Sequence, residues 1–251
     1  MIKFFRQIRH SMINQNRTKK YLLYAIGEII LVVIGILIAL QINNWNEQRK
    51  ILKSEKEILT NLKSELIINR DQLSTILNIH KNEYRIGLKL ISMFNTDISN
   101  GTELELDSLI GKIESVYTFE ANDGYIKSLI ASGKIDHIQN KKIKGFITAF
   151  DGLVIDATQE TGMLERLLNE RFWPAVDGKI NSSNRIRRYE DYTDFPKGSY
   201  TSDYKWFFSN RELEDIVSNM TSWKNAIILD EQILKESINH MIRLITNELN
   251  N

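Results

Sequence analysis

Few side chains in this sequence have a spacing that could support catalysis or metal binding. Glu236 and His240 are four residues apart and His80 and Glu83 three apart, so each pair would share one face of a helix. A helical zinc site uses such spacing but needs further ligands, and we expect both to be ordinary helix-surface pairs. Cysteine is absent, which excludes disulfides and thiolate sites, and no glycine-rich phosphate loop or nucleophile elbow occurs. We therefore expect no enzyme activity, no catalytic residue, no cofactor and no metal site.

The stretch that must position the rest of the chain is the apolar run from Tyr21 to Ile42. At about 1.5 Å per residue, about 20 helical residues cross the hydrocarbon core of a bilayer, and the run has that length with one acid, Glu28. Its aliphatic residues favour insertion by about 5 kcal/mol, against a cost of about 3 kcal/mol for one central charge. We predict a transmembrane helix over residues 21–42, with Tyr24 and Trp45 in the interfacial aromatic belts.

The charge around this span predicts its orientation. Residues 1–20 carry lysines and arginines but no acid, so the positive-inside rule makes this basic leader cytoplasmic and residues 43–251 extracytoplasmic. The apolar core of a cleaved signal peptide has about 7–15 residues and ends in a small-residue site, whereas here Leu37 would occupy a position of that site. We therefore predict an uncleaved signal anchor.

One stripe of the span combines a carboxyl group with small side chains. Glu28, Gly35 and Ala39 lie within about 20° of one another on a helical wheel, and Gly35 and Ala39 form a small-xxx-small pair that allows close helix packing. One interpretation is a helix-packing face for a second copy or another membrane protein. The other is an isolated Glu28 that reaches toward the headgroups or is protonated.

The residues of the span also resemble a known family. The run from Lys20 to Glu47, KYLLYAIGEIILVVIGILIALQINNWNE, is similar to the amino-terminal signature of a family of uncharacterised bacterial single-span membrane proteins that contain a domain of unknown function. Residues 128–135, SLIASGKI, followed by Ile138-Gln139-Asn140, resemble a second pattern of that family more loosely. The resemblance implies an anchor in the bacterial inner membrane and a helical domain, periplasmic in the orientation given above. It implies no activity, substrate, cofactor or functional residue.

Beyond the span, residues 43–251 are predicted to form an all-α bundle. The first helix, from Trp45 to about Phe94, would continue directly from the membrane helix. A seven-residue repeat marks one face of it, formed by Leu52, Leu59, Leu66 and Leu73. Further apolar residues widen this face, which favours packing within the chain over the alternative of a parallel coiled-coil stalk.

Turn and capping residues predict the remaining helices. After a turn at Asn100-Gly101, two short helices follow, over Asp107–Tyr117 and Gly124–Ser132. A long helix is then capped by Asn140 and ends before Pro174. The last helix starts at a capping box of Ser209 and Glu212 and runs nearly to the end.

Residues 174–209 are predicted to be a long, aromatic-rich ordered loop, since both prolines of the chain lie there. We expect Trp206, Phe207 and Phe208 to seal the core. A mixture of aromatic and arginine residues is typical of protein interfaces, so we predict a partner surface whose candidates are Tyr189, Tyr192, Phe195, Arg187 and Arg188.

Two functions are compatible with this organisation. The first is a membrane-anchored interaction or scaffold protein that holds a partner at the outer face of the inner membrane. The alternative is a ligand-binding sensory or accessory domain of a membrane complex. A cavity lined by polar groups inside the bundle would favour the alternative, and a dry core the scaffold. The expected partners are the lipid bilayer and a protein, or a second copy, at the membrane helix. Nucleic acid is not expected, because residues 43–251 carry more acids than bases.

Overall fold

The computed structural model describes residues 18–98 and 101–250, and every regular element in these two ranges is helical. Most of the basic leader predicted at 1–20, and Asn100 of the predicted turn, lie outside the described residues. The helices are α1 (Thr18–Met93), α2 (Glu103–Ile113), α3 (Gly124–Ala131), α4 (Lys141–Leu167), α5 (Trp173–Val176), α6 (Ser182–Ile186), α7 (Tyr204–Ser209) and α8 (Arg211–Asn250), with 3-10 turns at Lys134–His137 and Glu190–Tyr192 and a π-helical turn at Leu168–Phe172. The prediction of an all-α chain is confirmed.

Helix α1 is continuous over 76 residues, as expected from a stretch without proline. The chain divides into two compact units, residues 1–57 and 58–251. In the first unit the apolar side chains between Leu22 and Ile42 are mostly exposed, and so is Leu52, the first leucine of the seven-residue repeat. The next three leucines of the repeat lie in the second unit and are buried, so from Ile58 onward the apolar face of α1 packs within its own chain.

Two apolar clusters form the core of the second unit. One joins α1 between Ile58 and Leu73 to α3, α4 and the last turns of α8, from Leu234 onward. The other joins the end of α1, from Leu90, to α2, the π-helical turn, α7 and the first half of α8. Helices α4 and α8 pack along each other and contribute to both clusters.

Several predicted helix ends are confirmed and others are wrong. The Asn140 side chain accepts hydrogen bonds from the backbone N–H groups of Lys142 and Ile143, the predicted cap of α4. Helix α2 starts at Glu103, not Asp107, because the Thr102 hydroxyl caps it, and it ends at Ile113, not Tyr117.

The ends on either side of residues 174–209 also differ from the prediction. The helical path of α4 does not stop before Pro174, because a π-helical turn leads into α5, whose first turn holds Pro174, a position where a missing N–H is tolerated. The cap of α8 is Asn210 rather than Ser209, because the Asn210 side chain accepts from the N–H groups of Glu212 and Leu213.

The segment 174–209 is more regular than the long loop predicted for it. It contains α6, a 3-10 turn and α7, besides most of α5. The N–H of Asp203 donates to the carbonyl of Lys179 at 2.9 Å, which joins its two ends. Phe207 and Phe208 are buried and pack their rings against Phe94, so they seal the core as expected.

Candidate functional site

Buried polar side chains interrupt the apolar core of the second unit. On α1 they lie between Leu77 and Leu90, and on α8 Lys224 precedes Ile227 and Glu231 lies between Ile227 and Leu234. We name the polar belt by its members: His80, Glu83, Asp107, Glu114, Arg185, Lys224 and Glu231. The prediction that His80 and Glu83 are a surface pair is therefore wrong. Each is buried because its partner lies on another helix.

His80 links α1 to α8 through one ring nitrogen and to the segment after α2 through the other. Its Nδ1 is 2.9 Å from a carboxylate oxygen of Glu231, and its Nε2 is 3.1 Å from the carbonyl oxygen of Tyr117. A carbonyl only accepts, so Nε2 carries a hydrogen. The contact of Nδ1 with Glu231 joins α1 to α8 at a buried position, since both side chains are almost completely enclosed.

Glu83 and Lys224 form a fully enclosed ion pair. The Lys224 ammonium is 2.8 Å from Glu83 Oε2 and donates to the carbonyl of Ser115 at 2.9 Å. The Ser115 hydroxyl donates to the other Glu83 oxygen. Burial lowers the pKa of Lys224, an effect that the charge of Glu83 opposes. Nearby, a Cβ on Gly87 would clash with the Thr221 hydroxyl, so α1 and α8 approach closely here.

Glu114 forms the third contact of the belt. Its Oε2 accepts from the Trp173 indole N–H at 2.8 Å and from Arg185 Nη1, while Arg185 Nη2 donates to the Ser182 hydroxyl at 3.1 Å. Burial raises the pKa of Glu114, and the Arg185 charge opposes that shift. Arg185 Nε is buried with no hydrogen-bond partner in the described chain.

Asp107 completes the belt beside the second apolar cluster. It accepts from the Tyr204 hydroxyl and lies 3.6 Å from Arg188 Nη2. Burial raises the pKa of Asp107, and the Tyr204 hydrogen bond and Arg188 charge act in the opposite direction. Burial also raises the pKa of Tyr204.

Two clefts open from the belt on either side of Tyr189. The first cleft has a volume of about 410 Å³ and is lined by Glu114, Trp173, Asp177, Ser182, Arg185, Ile186 and Tyr189. The second cleft, of about 380 Å³, is lined by Ile79, Asn82, Glu83, Gly111, Lys112, Ser115, Tyr117, Arg188, Tyr189 and Asp191. The Tyr189 hydroxyl donates to the carbonyl of Gly111, and burial raises its pKa. Both volumes fall in the range of small-molecule sites.

The structure separates the five residues of the predicted partner surface. Tyr189 and Arg188 are half-buried and take part in the contacts above, and Arg187 and Phe195 are also half-buried. Tyr192 is 50% exposed, and its ring lies edge-on to Tyr189 and to Phe195, with centroids 6.5 and 6.4 Å apart. Of these five, Tyr192 alone is exposed.

The predicted packing stripe lies on α1 in the first unit. Gly35 and Ala39 are exposed and Glu28 is half-buried, and no atom of another described side chain lies within 4 Å of a Cβ built on Gly35. The small-residue face is therefore accessible in the single chain. What packs on it stays a prediction.

The described residues offer no metal site. Within residues 18–98 and 101–250, no group of three or more His, Asp or Glu side chains is placed to hold an ion. Glu236 and His240 are both exposed on α8, as a helix-surface pair should be.

These features define a class of protein: an all-helical chain with a helix long and apolar enough to cross a membrane. Within the described residues that helix is Leu22–Met93, with a mean hydropathy of 2.7 over its most apolar window, none of which is buried. Residues 28–170 match a family of unknown function, DUF6090, and the chain belongs to this family. No curated protein matches the chain, and no solved structure does.

Proposed function

We propose that this chain is a single-span membrane protein whose helical unit binds a small polar ligand, as a sensory or accessory domain of a membrane complex. The observation that carries the proposal is the first cleft, a partly open cavity of about 410 Å³ whose wall includes the buried Glu114–Arg185 pair. Buried polar groups in the wall of a cavity favour a ligand-binding domain over a scaffold with a dry core.

The energetics of the belt support a role beyond stability. Replacing a buried ion pair by apolar residues of similar volume is often neutral or stabilising, so hydrophobic residues could fill this layer at no loss. The belt nevertheless holds two ion pairs that are almost completely buried, Glu83–Lys224 and Glu114–Arg185. Each of these pairs has a member in the wall of a cleft, where polar groups fix ligand orientation. The proposal includes binding but no catalytic step, no cofactor and no nucleic acid.

The membrane part of the proposal rests on the exposed apolar stretch of α1 and the basic residues before it. We place the amino terminus in the cytoplasm and the helical unit in the periplasm, with the anchor in a bacterial inner membrane. Alkaline phosphatase fused after Asn251 should be active, and a reporter that works only in the cytoplasm should be silent. The reverse pattern would refute this orientation.

Ligand binding is tested by a thermal-shift screen of a metabolite library on the full chain in detergent. A ligand of the cleft should raise the melting temperature. The shift should disappear in Ile186→Trp, which fills the first cleft, and persist in Ile155→Trp, a change at an exposed position of α4. A library without hits, or hits that Ile186→Trp leaves intact, would contradict the proposal.

A second candidate function is the interaction or scaffold role, and the exposure of aromatic side chains favours it. Tyr192 is 50% and Tyr200 83% exposed, and exposed tyrosines often anchor protein interfaces. Alanine at both positions should abolish recovery of a stoichiometric partner from mild detergent and leave the melting temperature unchanged. Unchanged recovery would refute a partner surface at these residues.

A further inference from the structure

We propose that the first cleft binds a small organic compound through a primary ammonium group. This inference rests on the proposed function and names the ligand class of the same site. It is drawn from three properties of the cleft: the sum of its charges, an uncommitted carboxylate oxygen and two aromatic walls.

The charge of the cleft favours a cation. Glu114 and Arg185 neutralise each other as an ion pair, which leaves Asp177 as the uncompensated charge among the lining residues. Asp177 is exposed at the rim, and its charge is close enough to raise the pKa of Glu114. A cation between these two carboxylates would relieve their mutual repulsion.

Glu114 has an acceptor to offer. Both of its donors, Trp173 Nε1 and Arg185 Nη1, bind the same oxygen, Oε2. Among the hydrogen bonds of residues 101–250, none ends on Oε1 of Glu114. A primary ammonium carries three hydrogen-bond donors, so it can donate to Oε1 while the charge of the nearby Asp177 attracts it.

Two aromatic rings line the cleft in fixed positions. Glu114 holds the indole N–H of Trp173, and Gly111 holds the hydroxyl of Tyr189. Rings fixed by such contacts present a preorganised surface, and aromatic faces attract ammonium groups. The aromatic and carboxylate groups of the cleft therefore both favour a positively charged ligand.

An anion would find less to bind. Arg185 is only 2% exposed, and its two terminal nitrogens already donate to Glu114 and Ser182. Its unpartnered Nε is also closed to solvent. The cation of the cleft thus binds other groups of the protein, whereas Oε1 of Glu114 and the Asp177 carboxylate are available to a ligand.

The test measures binding of defined amines to the full chain in dodecyl maltoside micelles. Ethanolamine and 1,4-diaminobutane should bind saturably by calorimetry and change the tryptophan fluorescence, because Trp173 lies in the cleft. Ethylene glycol and acetate, matched in size, should give neither signal. Tetramethylammonium, which has no N–H donor, should bind more weakly than the primary amines.

Variants locate the site. Glu114→Gln should weaken amine binding by about tenfold or more, since the amide oxygen of Gln still accepts a hydrogen bond but the carboxylate charge is lost. Asp177→Asn, at an exposed rim position that leaves folding intact, should weaken it by a smaller factor. Asp191→Asn removes the same charge at the second cleft and should change nothing.

The outcomes separate the ligand class from the function. Amine binding that both Glu114→Gln and Asp177→Asn leave unchanged would overturn the inference. The inference would also be overturned if the cleft binds no amine but binds neutral or anionic compounds and Ile186→Trp abolishes that binding. The proposed ligand-binding function would then still hold. If no compound binds in that manner, both proposals fail.

Discussion

A substitution at Lys224 tests most directly how the ion pairs of the polar belt contribute to stability, because Lys224 is fully buried and its ammonium has one carboxylate partner, Glu83. The substitution Lys224→Met keeps an unbranched side chain of similar length and removes the charge. Glu83 is then left buried with one donor, the Ser115 hydroxyl. Removing one member of a buried ion pair typically costs about 3–5 kcal/mol, because the other charge stays uncompensated.

That cost converts into a measurable shift of the melting temperature. For domains of this size, 1 kcal/mol corresponds to about 2–4 °C, so Lys224→Met should lower the melting temperature by about 6–20 °C. The double variant Glu83→Gln, Lys224→Met removes both charges and keeps an acceptor for Ser115. It should recover most of the loss, since an uncharged buried pair pays no ionic desolvation.

The assay is thermal unfolding of the full chain in detergent, followed by near-ultraviolet circular dichroism. Lys127→Met is the matched control, because Lys127 pairs with Asp123 at the surface of α3, where ion pairs contribute little to stability. A melting temperature for Lys224→Met equal to that of Lys127→Met would refute the reasoning. A double variant no more stable than Lys224→Met would do the same.

Three further predictions concern protonation, helix packing and the membrane helix. Burial raises the pKa of Glu114 above its ordinary value of 4.5, so the folded chain binds more protons than the unfolded chain. The contribution of Glu114 to stability therefore increases as the pH falls from neutral toward 4.5. Glu114→Gln should flatten that part of the curve of melting temperature against pH. A steeper curve would contradict a raised pKa of Glu114. Gly87→Ala places a methyl group against the side chain of Thr221 on α8 and should cost about 1–3 kcal/mol in urea unfolding. Gly152→Ala, whose methyl group meets no atom within 4 Å, should be neutral or stabilising. Similar losses for both would disprove the close approach. In a membrane association assay Gly35→Leu should weaken helix pairing and Ile36→Leu should not, and equal behaviour would leave the stripe without a packing role.

The parts of the fold that could be predicted are those where local pattern and tertiary packing agree. Helix α1 lacks proline throughout its length, and its apolar face from Ile58 onward is the one that the structure buries. Asn140 caps α4 because its side chain needs only local backbone N–H groups. Such local rules involve neighbours in sequence, so a single sequence contains them.

The polar belt could not be predicted in the same way. By spacing alone both His80 and Glu83 continue the apolar face of α1, since the first follows Leu73 by seven residues and the second precedes Leu90 by seven, but their polarity favoured the solvent face. Their partners, Glu231 and Lys224, are 151 and 141 residues away, and no local spacing connects them. The pairing that makes their burial tolerable became visible only when the fold brought α1 and α8 together.

The segment after Pro174 shows a different limit. Its helices α5 and α6 have only four and five residues, which is too short for periodicity to be read. The sequence indicated aromatic and arginine residues of functional interest there, but it did not indicate which of these side chains face solvent and which face the protein interior. Arg188 and Tyr189 are half-buried, and their side chains contact Asp107 and the carbonyl of Gly111.

The position of the belt relative to the family match leads to an expectation for other members. The match ends at residue 170 and thus includes Glu83 and Glu114 but not their cations, Lys224 and Arg185. A buried carboxylate without its cation is strongly destabilising, whereas loss of both members is tolerated. A relative that lacks a cation at the position of Lys224 should therefore also lack the acid at the position of Glu83, and the same coupling should hold for Arg185 and Glu114. Relatives that keep either acid without its cation would show that the pairing observed here is not what keeps these side chains buried.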